Sequence, residues 1–240
     1  VEGMKKHLPD ESIDLTVTSP PYDNLRKYKG FTWDFEGVAK ELFRVTKSGG
    51  VVVWVVNDMT NKFQESLSSF RQCLFFVDVC GFGLLDTMIF AKKDYPPPYP
   101  TLRRYANQFE YMFIFTKGKP KTFNPIQIEK LGLGQGKKAF RKPNGELKRK
   151  VVVDNGKPTK PASNLWFYQV GGGNGTSHPA VFPEKLAEDH ILSWSNEGDV
   201  VLDPFFGSGT TGKMAKKNNR NYIGFELSQE YCDIAVERLR

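Results

Sequence analysis

The chain has 240 residues, a hydrophobic content of 39% and a formal net charge of +7. This length predicts one α/β domain with one insertion, and no apolar run approaches the roughly 20 residues of a membrane-spanning helix. The three cysteines, Cys73, Cys80 and Cys232, are isolated and lack the spacing of a metal or redox site. We therefore expect a cytoplasmic, reduced protein without a metal and away from the membrane, and the positive charge favours a polyanionic partner.

A turn at residues 19–22 is the first stretch that points to a binding site. Residues 13–17 predict a buried parallel strand, which Pro20 and Pro21 end. Open α/β sheets bind ligands at the carboxyl ends of such strands. The hydroxyl of Ser19, the freed carbonyls and the ring of Tyr22 suit a flat ligand that carries an amine. A Pro-Pro turn with Tyr22 as ordinary packing explains this stretch alone equally well.

The next hundred residues predict alternating helices and strands. Helices are expected over 36–46, ended by Gly49 and Gly50, and over 61–81. Strands are expected over 51–56, 84–92 and 109–117. A Pro-rich stretch then leads to Arg103 and Arg104, which are candidate DNA contacts, although a rigid linker explains that stretch as well.

Residues 117–162 carry the positive charge. Between Lys117 and Lys160, 13 Lys and Arg accompany 3 acids, so this segment has a net charge of +10 and the rest is net negative. A flexible basic segment of this kind can contact phosphates and become ordered on DNA, although charge runs are usually solvated faces. The candidate DNA-binding residues here are Lys137, Lys138, Arg141, Lys148, Arg149 and Lys150.

The last third of the chain predicts a cofactor site. Residues 165–168 predict a short strand, and a helix is expected to begin near Pro183. Residues 200–203 predict another strand, which runs into a Gly-rich loop where Gly207 and Gly209 let a ligand approach the backbone. A further strand ends at Glu226, whose carboxylate can accept both hydroxyls of a ribose. This half predicts a nucleoside cofactor on a Rossmann-like sheet.

Together these stretches resemble the S-adenosylmethionine-dependent amino-methyltransferases of DNA, which act on cytosine N4 or adenine N6. Ser19-Pro20-Pro21-Tyr22 matches the family's catalytic tetrapeptide, and residues 203–210 match its cofactor loop, Asp-Pro-Phe-x-Gly-Ser-Gly-Thr. The stretch that begins at His178 is similar to the family's third cofactor element. The catalytic motif precedes the cofactor loop, which is the permuted order of the family's β arrangement.

The resemblance implies a class I methyltransferase fold. This is a Rossmann-like, doubly wound, mostly parallel α/β sheet with circularly permuted motif order and a basic insertion. It assigns residues 1–116 and 163–240 to the catalytic and cofactor-binding domain, and 117–162 to a DNA target-recognition insertion. Family members usually place a strand that ends in an acid before the catalytic strand, and residues 1–9 contain no such pattern.

The resemblance also implies roles for individual residues. Catalysis would use Ser19, Pro20, Pro21 and Tyr22: the Ser19 hydroxyl and the Pro20 carbonyl accept the amine hydrogens, and Tyr22 stacks on an extruded base. The cofactor, S-adenosylmethionine, would be bound by Asp203, Pro204, Phe205, Gly207, Ser208, Gly209, Thr210, Glu226, His178 and Pro179. No metal is required. The implied partners are double-stranded DNA, a second copy of the chain and a cognate restriction endonuclease.

Several alternatives stay open at this point. Ser19 favours cytosine N4 over adenine N6 by family tendency. Methyltransferases of protein glutamine or RNA amines share an x-Pro-Pro-Tyr turn, and a non-catalytic DNA-binding subunit is a further possibility. Gly207, Gly209 and Gly212 also match the Gly-x-Gly-x-x-Gly fingerprint of nicotinamide oxidoreductases. Methylation of cytosine C5 is disfavoured because it needs an attacking thiolate, typically in a Pro-Cys turn, and no cysteine follows a proline.

Overall fold

The computed structural model describes residues 1–21, 33–94, 104–130, 136–152, 157–169 and 183–240. Its helices are α1 (Glu2–His7), α2 (Phe35–Val45), α3 (Ser68–Asp78), α4 (Glu184–Trp194), α5 (Thr210–Lys217) and α6 (Gln229–Arg238). Its strands are β1 (Ile13–Thr18), β2 (Thr46–Val56), β3 (Thr60–Asn61), β4 (Gln64–Glu65), β5 (Gly83–Lys92), β6 (Phe109–Thr116), β7 (Gln127–Glu129), β8 (Gly136–Arg141), β9 (Leu147–Val152), β10 (Thr159–Pro161), β11 (Leu165–Tyr168), β12 (Val200–Asp203) and β13 (Asn221–Gly224).

A seven-stranded sheet in the order β11-β5-β6-β2-β1-β12-β13 forms the centre of the fold. The pairs β11–β5, β2–β1, β1–β12 and β12–β13 are parallel, whereas β6 is antiparallel to both of its neighbours. This is the mostly parallel α/β sheet expected from the sequence, so the predicted fold class is confirmed. In the described part of the chain, no helix is long and apolar enough to cross a membrane.

Helices cover both faces of the sheet, because each buried strand presents alternate side chains to two separate cores. One core joins the sheet to α1, α2 and α3 and includes Ile13, Leu42, Trp54 and Phe76. The other joins the sheet to α4 and α5 and includes Leu15, Leu186, Val201 and Met214. This double burial explains why β1 consists of apolar and β-branched residues apart from Asp14.

The chain leaves the middle of the sheet in two directions. From β1 it continues through α2 to the neighbouring strand β2, and from β12 it continues through α5 to β13 on the other side. The crevice between β1 and β12 is therefore a topological switch point, the place where open α/β sheets bind ligands.

Two local predictions are wrong. The segment 61–81 is not one helix: residues 60–65 form an antiparallel hairpin of β3 and β4, and α3 begins only at Ser68. The buried carboxylate of Asp58 accepts the backbone N–H of Ser69 at 2.9 Å, which fixes the start of the helix. Likewise, Gly49 and Gly50 do not end α2 but belong to an irregular start of β2, where Gly49 has φ +79°.

Residues Pro125–Ser163 form a second compact unit, and Val1–Asn124 together with Asn164–Arg240 form the first. The described residues of the second unit form two antiparallel strand pairs, β7 with β10 and β8 with β9. The sequence predicted a flexible segment without clear periodicity, so the regular strands correct that expectation. In the hairpin of β8 and β9, Lys138 lies opposite Lys150 and Ala139 opposite Arg149.

Candidate active site

The two predicted motifs meet at the carboxyl edge of the sheet. The catalytic turn follows β1 and the cofactor loop follows β12, and these strands are hydrogen-bonded neighbours with Thr16 opposite Leu202. Thr18, the last residue of β1, donates a hydrogen bond of 2.6 Å to the carboxylate of Asp203, the last residue of β12. A single side-chain contact therefore joins two motifs that lie 185 positions apart.

The turn after β1 is set by its prolines. Pro20 is buried. Ser19, which carries the hydroxyl, and Pro21 are half-buried. Neither proline can donate to a sheet ladder, and each fixes its own φ, so the strand ends here. Tyr22, predicted to stack on the substrate, lies outside the described residues, as do His178 and Pro179.

Asp203 is a buried carboxylate that receives several hydrogen bonds. Thr18 and the backbone N–H of Phe205 donate to its Oδ1 at 2.6 and 3.0 Å. Burial raises the pKa of the Asp203 carboxyl to about 6, although bonds from Thr18, Phe205 and Thr211 oppose that shift. The group is thus largely ionised at pH 7 and becomes protonated in mildly acidic solution.

The loop that follows Asp203 needs glycine at two positions. Gly207 and Gly209 have φ values of +49° and +79°, in the left-handed region that other residues rarely adopt. A Cβ on Gly209 would also lie 3.1 Å from the Cβ of Ala235. The loop therefore bends tightly just before the first turn of α5, and neither glycine places a side chain there.

Glu226 holds this loop from the next strand. Its Oε2 accepts the N–H of Gly207 at 2.9 Å, and its Oε1 accepts the N–H groups of Leu227 and Ser228, each at 2.8 Å. Three backbone donors thus fix the orientation of the carboxylate just beyond β13. Each oxygen of a carboxylate has two lone pairs, so Oε1 is saturated by its two donors, whereas Oε2 accepts one bond and keeps acceptor capacity for a ligand.

The ring of Phe206 explains the third glycine of the apparent nicotinamide fingerprint. A Cβ on Gly212 would lie 2.5 Å from this ring, and one on Gly224 would lie 2.2 Å from it. The ring also stacks on Tyr222, with a centroid distance of 6.3 Å. Gly212 is therefore required by internal packing, and the Gly-x-Gly-x-x-Gly spacing needs no dinucleotide to account for it.

Arg238 is a site residue that sequence reasoning missed. Its Nη1 donates to the carbonyl and the hydroxyl of Ser208 at 2.7 and 2.8 Å and to the hydroxyl of Thr210 at 3.3 Å. Its Nη2 donates to Glu184 at 2.8 Å, and Lys213 donates to the same oxygen at 2.7 Å. The guanidinium therefore connects the cofactor loop to the start of α4.

The charges of this cluster support one another. Burial acts to raise the pKa of the Glu184 carboxyl, but the bonds from Lys213 and Arg238 outweigh it and hold that pKa below its usual value. Arg238 has only 12% of its side chain exposed, so its bonds are poorly screened by solvent. No sequence motif marks this arginine, because its partners lie 28 to 54 positions away.

The remaining residues of the loop are buried or half-buried. Pro204 and Phe205 are half-buried, and the Phe205 ring meets Trp33 edge-on at 5.2 Å and Trp54 at 6.2 Å. Ser208 and Thr210 are both buried. The predicted cofactor residues from Asp203 to Thr210 therefore form one continuous segment with Glu226 beside it.

The predicted DNA-binding residues lie in several places. Arg104 donates to Thr60 and, at 2.8 Å, to Glu65, so its guanidinium braces the β3–β4 hairpin. Arg141 donates to the carbonyl of Gly145 at 3.3 Å, and Lys148 is exposed on β9. Lys137 and Lys138 belong to β8, Arg149 and Lys150 belong to β9, and Arg103 lies outside the described residues.

Metal and thiol chemistry find no support in the described residues. No group of three or more His, Cys, Asp or Glu side chains there could bind a metal ion. Burial is the main cause that raises the pKa of the thiols of Cys73, Cys80 and Cys232, so each stays protonated at neutral pH. A protonated thiol is a poor nucleophile, which agrees with the expectation that methylation of cytosine C5 is disfavoured.

Comparison with known proteins gives a consistent result. Residues 13–237 match the family model described as DNA methylase, for N6 and N4 methyltransferases. The chain is 55% identical to the "Orphan methyltransferase M.BamHII" of Bacillus amyloliquefaciens over 247 residues, covering 99% of this chain and 92% of that protein.

Solved structures are similar over nearly the whole chain. The PvuII DNA methyltransferase (cytosine-N4-specific) matches with a TM-score of 0.72 at 23% identity, covering 98% of this chain and 82% of that one. The M1.HpyAVI–SAM complex matches with a TM-score of 0.64 at 25% identity, covering 100% and 93%.

Proposed function

The chain belongs to the N6/N4 DNA methylase family, and we propose that it methylates the N4 amine of cytosine in double-stranded DNA. The family and the relatives make it an S-adenosylmethionine-dependent DNA amino-methyltransferase. The observation that carries the choice of base is Ser19 in the first position of the catalytic turn, where family tendency favours cytosine N4. The structural similarity to a cytosine-N4-specific enzyme supports the same choice.

The residues at the switch point fit the cofactor. S-adenosylmethionine supplies an electrophilic methyl group on a sulfonium centre, beside an adenosine and an amino acid. Glu226, already oriented by three backbone donors, would accept a ribose hydroxyl at Oε2. The segment from Asp203 to Thr210 would hold the amino-acid part, with the Asp203 carboxylate opposite positive charge. The two positive-φ glycines leave out the side chains that would obstruct such close contact.

The catalytic turn would act on the amine of the base. The nitrogen lone pair of an exocyclic amine is delocalised into the ring, so the nitrogen must become pyramidal before it can attack. The Ser19 hydroxyl and the Pro20 carbonyl would accept the amine hydrogens and so favour the pyramidal form. Tyr22 would stack on the extruded base and fix its plane. The remaining contribution is orientation, because the nitrogen must approach the methyl group in line.

The basic hairpin of β8 and β9 would supply contacts to phosphates. Lys138 is paired with Lys150 in the backbone register of the two strands, so the hairpin brings basic residues to adjacent positions. Lys and Arg are the residue types that neutralise DNA phosphates. We infer that residues Pro125–Ser163 form the target-recognition unit and that Arg141 and Lys148 also contact the DNA backbone.

The test of the base begins with genomic DNA and tritiated S-adenosylmethionine. Nucleoside digestion and mass spectrometry identify the product, and we expect N4-methylcytosine. N6-methyladenine instead would overturn the choice of base and leave the family assignment intact. A Ser19→Asp variant provides a second test of the base, because family members that act on adenine N6 tend to have an aspartate at this position. The same product analysis then shows which base that variant methylates.

The DNA-contact proposal is tested by the salt dependence of binding. Replacing Lys148, Arg149 and Lys150 together by glutamine should lower the slope of log K against log salt by about 0.9 for each phosphate that the variant no longer neutralises. Glutamine at Lys216 and Lys217 in α5 provides the control, because both bond to groups within the first unit. An unchanged slope in the triple variant removes this hairpin from the interface.

Two further partners follow from the family resemblance. A second copy of the chain is one, and light scattering of the purified protein measures it directly. A cognate restriction endonuclease is the other. The 55% identical relative is named an orphan methyltransferase, and this favours a chain that works without such an endonuclease.

A further inference from the structure

Backbone strain is concentrated in one short segment beside the active site. In the described part of the chain, five residues other than glycine have positive φ, and three of them are Lys62, Phe63 and Leu67, with values of +47°, +68° and +58°. Lys62 and Phe63 are the two central residues of the hairpin of β3 and β4. A turn with positive φ at both central residues normally uses Asn-Gly, because larger side chains are disfavoured there.

The same turn exposes a large apolar side chain. Phe63 has 76% of its surface exposed, and Leu67 has 46%. An aromatic residue is thus held in an unfavourable conformation and is also left in water. Outliers of this kind persist where the side chain serves a function.

Side-chain hydrogen bonds hold the base of the hairpin, whereas the side chain of Phe63 at its tip is exposed. Arg104 bonds to both strands, through Thr60 and Glu65. The N–H of Ser66 donates to the carbonyl of Met59 at 2.9 Å, and the Ser66 hydroxyl donates to the buried Asp58 at 3.1 Å. These bonds connect the hairpin to the buried Asp58 and orient it relative to the sheet.

The hairpin lies on the catalytic edge of the sheet. β2, which leads into it, is the parallel neighbour of β1, with Trp54 opposite Thr18. The chain segments that follow the two strands, one starting at Ser19 and the other at Asn57, thus leave adjacent strands about 4.8 Å apart. The catalytic turn and the hairpin therefore both follow adjacent strands at the same edge of the sheet.

We propose that Phe63 is a wedge that enters the DNA base stack at the position the target base vacates. Apolar side chains inserted between base steps are a common device of proteins that distort DNA, and extrusion leaves a gap that such a ring fills. Exposed Lys62, beside it in the turn, supplies a cation for a neighbouring phosphate. The inference rests on base extrusion, which is part of the proposed function.

The test compares Phe63→Ala with wild type on two duplexes of the mapped target site. One duplex is fully paired, and the other carries a mismatch opposite the target base, which already weakens pairing. We expect kcat/KM to fall at least about tenfold on the paired duplex and less than about threefold on the mismatched one. Phe63→Trp, which keeps a stacking ring, should remain within about threefold on both. Fluorescence of 2-aminopurine placed next to the target should show weaker unstacking with Phe63→Ala.

A second variant separates this role from a structural one. Phe63→Gly suits the positive φ, so it should raise the melting temperature while reducing activity on the paired duplex as Phe63→Ala does. The control is Phe123→Ala, because Phe123 is also exposed, at 60%, but stacks on Trp194 away from the catalytic turn.

Three outcomes would overturn the wedge. These are equal losses on paired and mismatched DNA, full activity of Phe63→Ala on the paired duplex, and a change of oligomeric mass in the variants. Failure of wild type to methylate DNA would instead overturn the proposed function, so the two failures are distinguishable.

Discussion

The cofactor loop and the β3–β4 hairpin both follow strands at the same edge of the sheet, yet they handle backbone strain in opposite ways. The loop uses Gly207 and Gly209 where φ is positive, and its surroundings are buried. The hairpin places Lys62 and Phe63 in the same region of φ and exposes both. Under the proposed function, the cofactor would lie against the backbone at Gly207 and Gly209, where a side chain would obstruct it, whereas the hairpin would tolerate strain in order to present the Phe63 side chain to DNA.

The largest expected effect is that of Gly207→Val. Valine is disfavoured at φ +49°, and the N–H of this residue is the donor that ties the loop to Glu226. We expect the affinity for S-adenosylmethionine to fall at least about 100-fold by calorimetry, a loss of about 2.7 kcal/mol. Gly118→Val is a matched control, because Gly118 has φ +81° and open space around it. Wild-type affinity of Gly207→Val for S-adenosylmethionine would contradict this comparison, because it would mean that the loop tolerates a side chain where φ is positive.

The catalytic turn lies outside both the cofactor loop and the hairpin. The Ser19→Ala variant tests the proposed role of the Ser19 hydroxyl in turnover. Loss of one preorganised polar contact to a transition state typically lowers kcat by about 100-fold or more. The affinities for S-adenosylmethionine and for DNA should stay near those of wild type, because Ser19 is proposed to act only on the reacting amine. Ser12→Ala, which removes an exposed hydroxyl bonded to Pro9, should leave turnover unchanged. Equal losses of turnover and cofactor affinity in Ser19→Ala would give Ser19 a structural role.

The sequence predicts the two regions unequally. Glycines, prolines and an acid at strand ends mark the cofactor loop and the catalytic turn, because local backbone geometry there needs those residue types. The strands that carry them are recognisable since both faces are buried. The sheet then brings the motifs together, because β1 and β12 are neighbours.

The hairpin could not be found in this way. Residues 61–66 carry no glycine or proline, so their composition suits the helix that was predicted through residue 81. The actual turn depends on tertiary contacts from Arg104 and Asp58. Arg238 was missed for the same reason, as its role is visible only once α6 lies against the loop. Short-range patterns report local geometry and do not report long side chains that bridge distant elements.

Arg238→Gln sharpens the comparison by loosening the cofactor loop without adding a side chain to it. Two bonds to Ser208, one to Thr210 and one to Glu184 involve this guanidinium, and hydrogen bonds of charged groups contribute about 1.5–3 kcal/mol each. We expect cofactor affinity to fall about tenfold, with DNA affinity unchanged. Arg238→Lys should recover part of the loss.

The matched control for this variant is Lys217→Gln. Lys217 lies at the end of α5, and its ammonium group pairs with Glu188 of α4 at 2.9 Å rather than with a loop residue. An Arg238→Gln enzyme with unchanged cofactor affinity but a lower melting temperature would mean that the arginine only stabilises the fold.

The smallest expected effect is a pH dependence that the cofactor loop has and the hairpin tip lacks. Because burial raises the pKa of Asp203 to about 6, its carboxylate becomes neutral as pH falls through that value. Attraction for a cationic ligand weakens, so cofactor affinity should fall about fourfold between pH 8 and pH 5.5. Asp203→Asn should remove this dependence, whereas Phe63→Ala should leave it unchanged.

The free energy of unfolding cannot replace cofactor affinity as the measured quantity in this test, because protonation of two buried groups changes it in opposite directions. Asp203 has a raised pKa in the folded state, so its contribution to stability grows as pH falls from about 6 towards its unfolded value. Burial lowers the pKa of His190 to about 3, so the unfolded chain takes up that proton first and stability falls below pH 6.5. A binding curve isolates Asp203 from this cancellation. A cofactor affinity that is flat between pH 8 and pH 5.5 would mean that the loop holds its ligand by backbone groups alone.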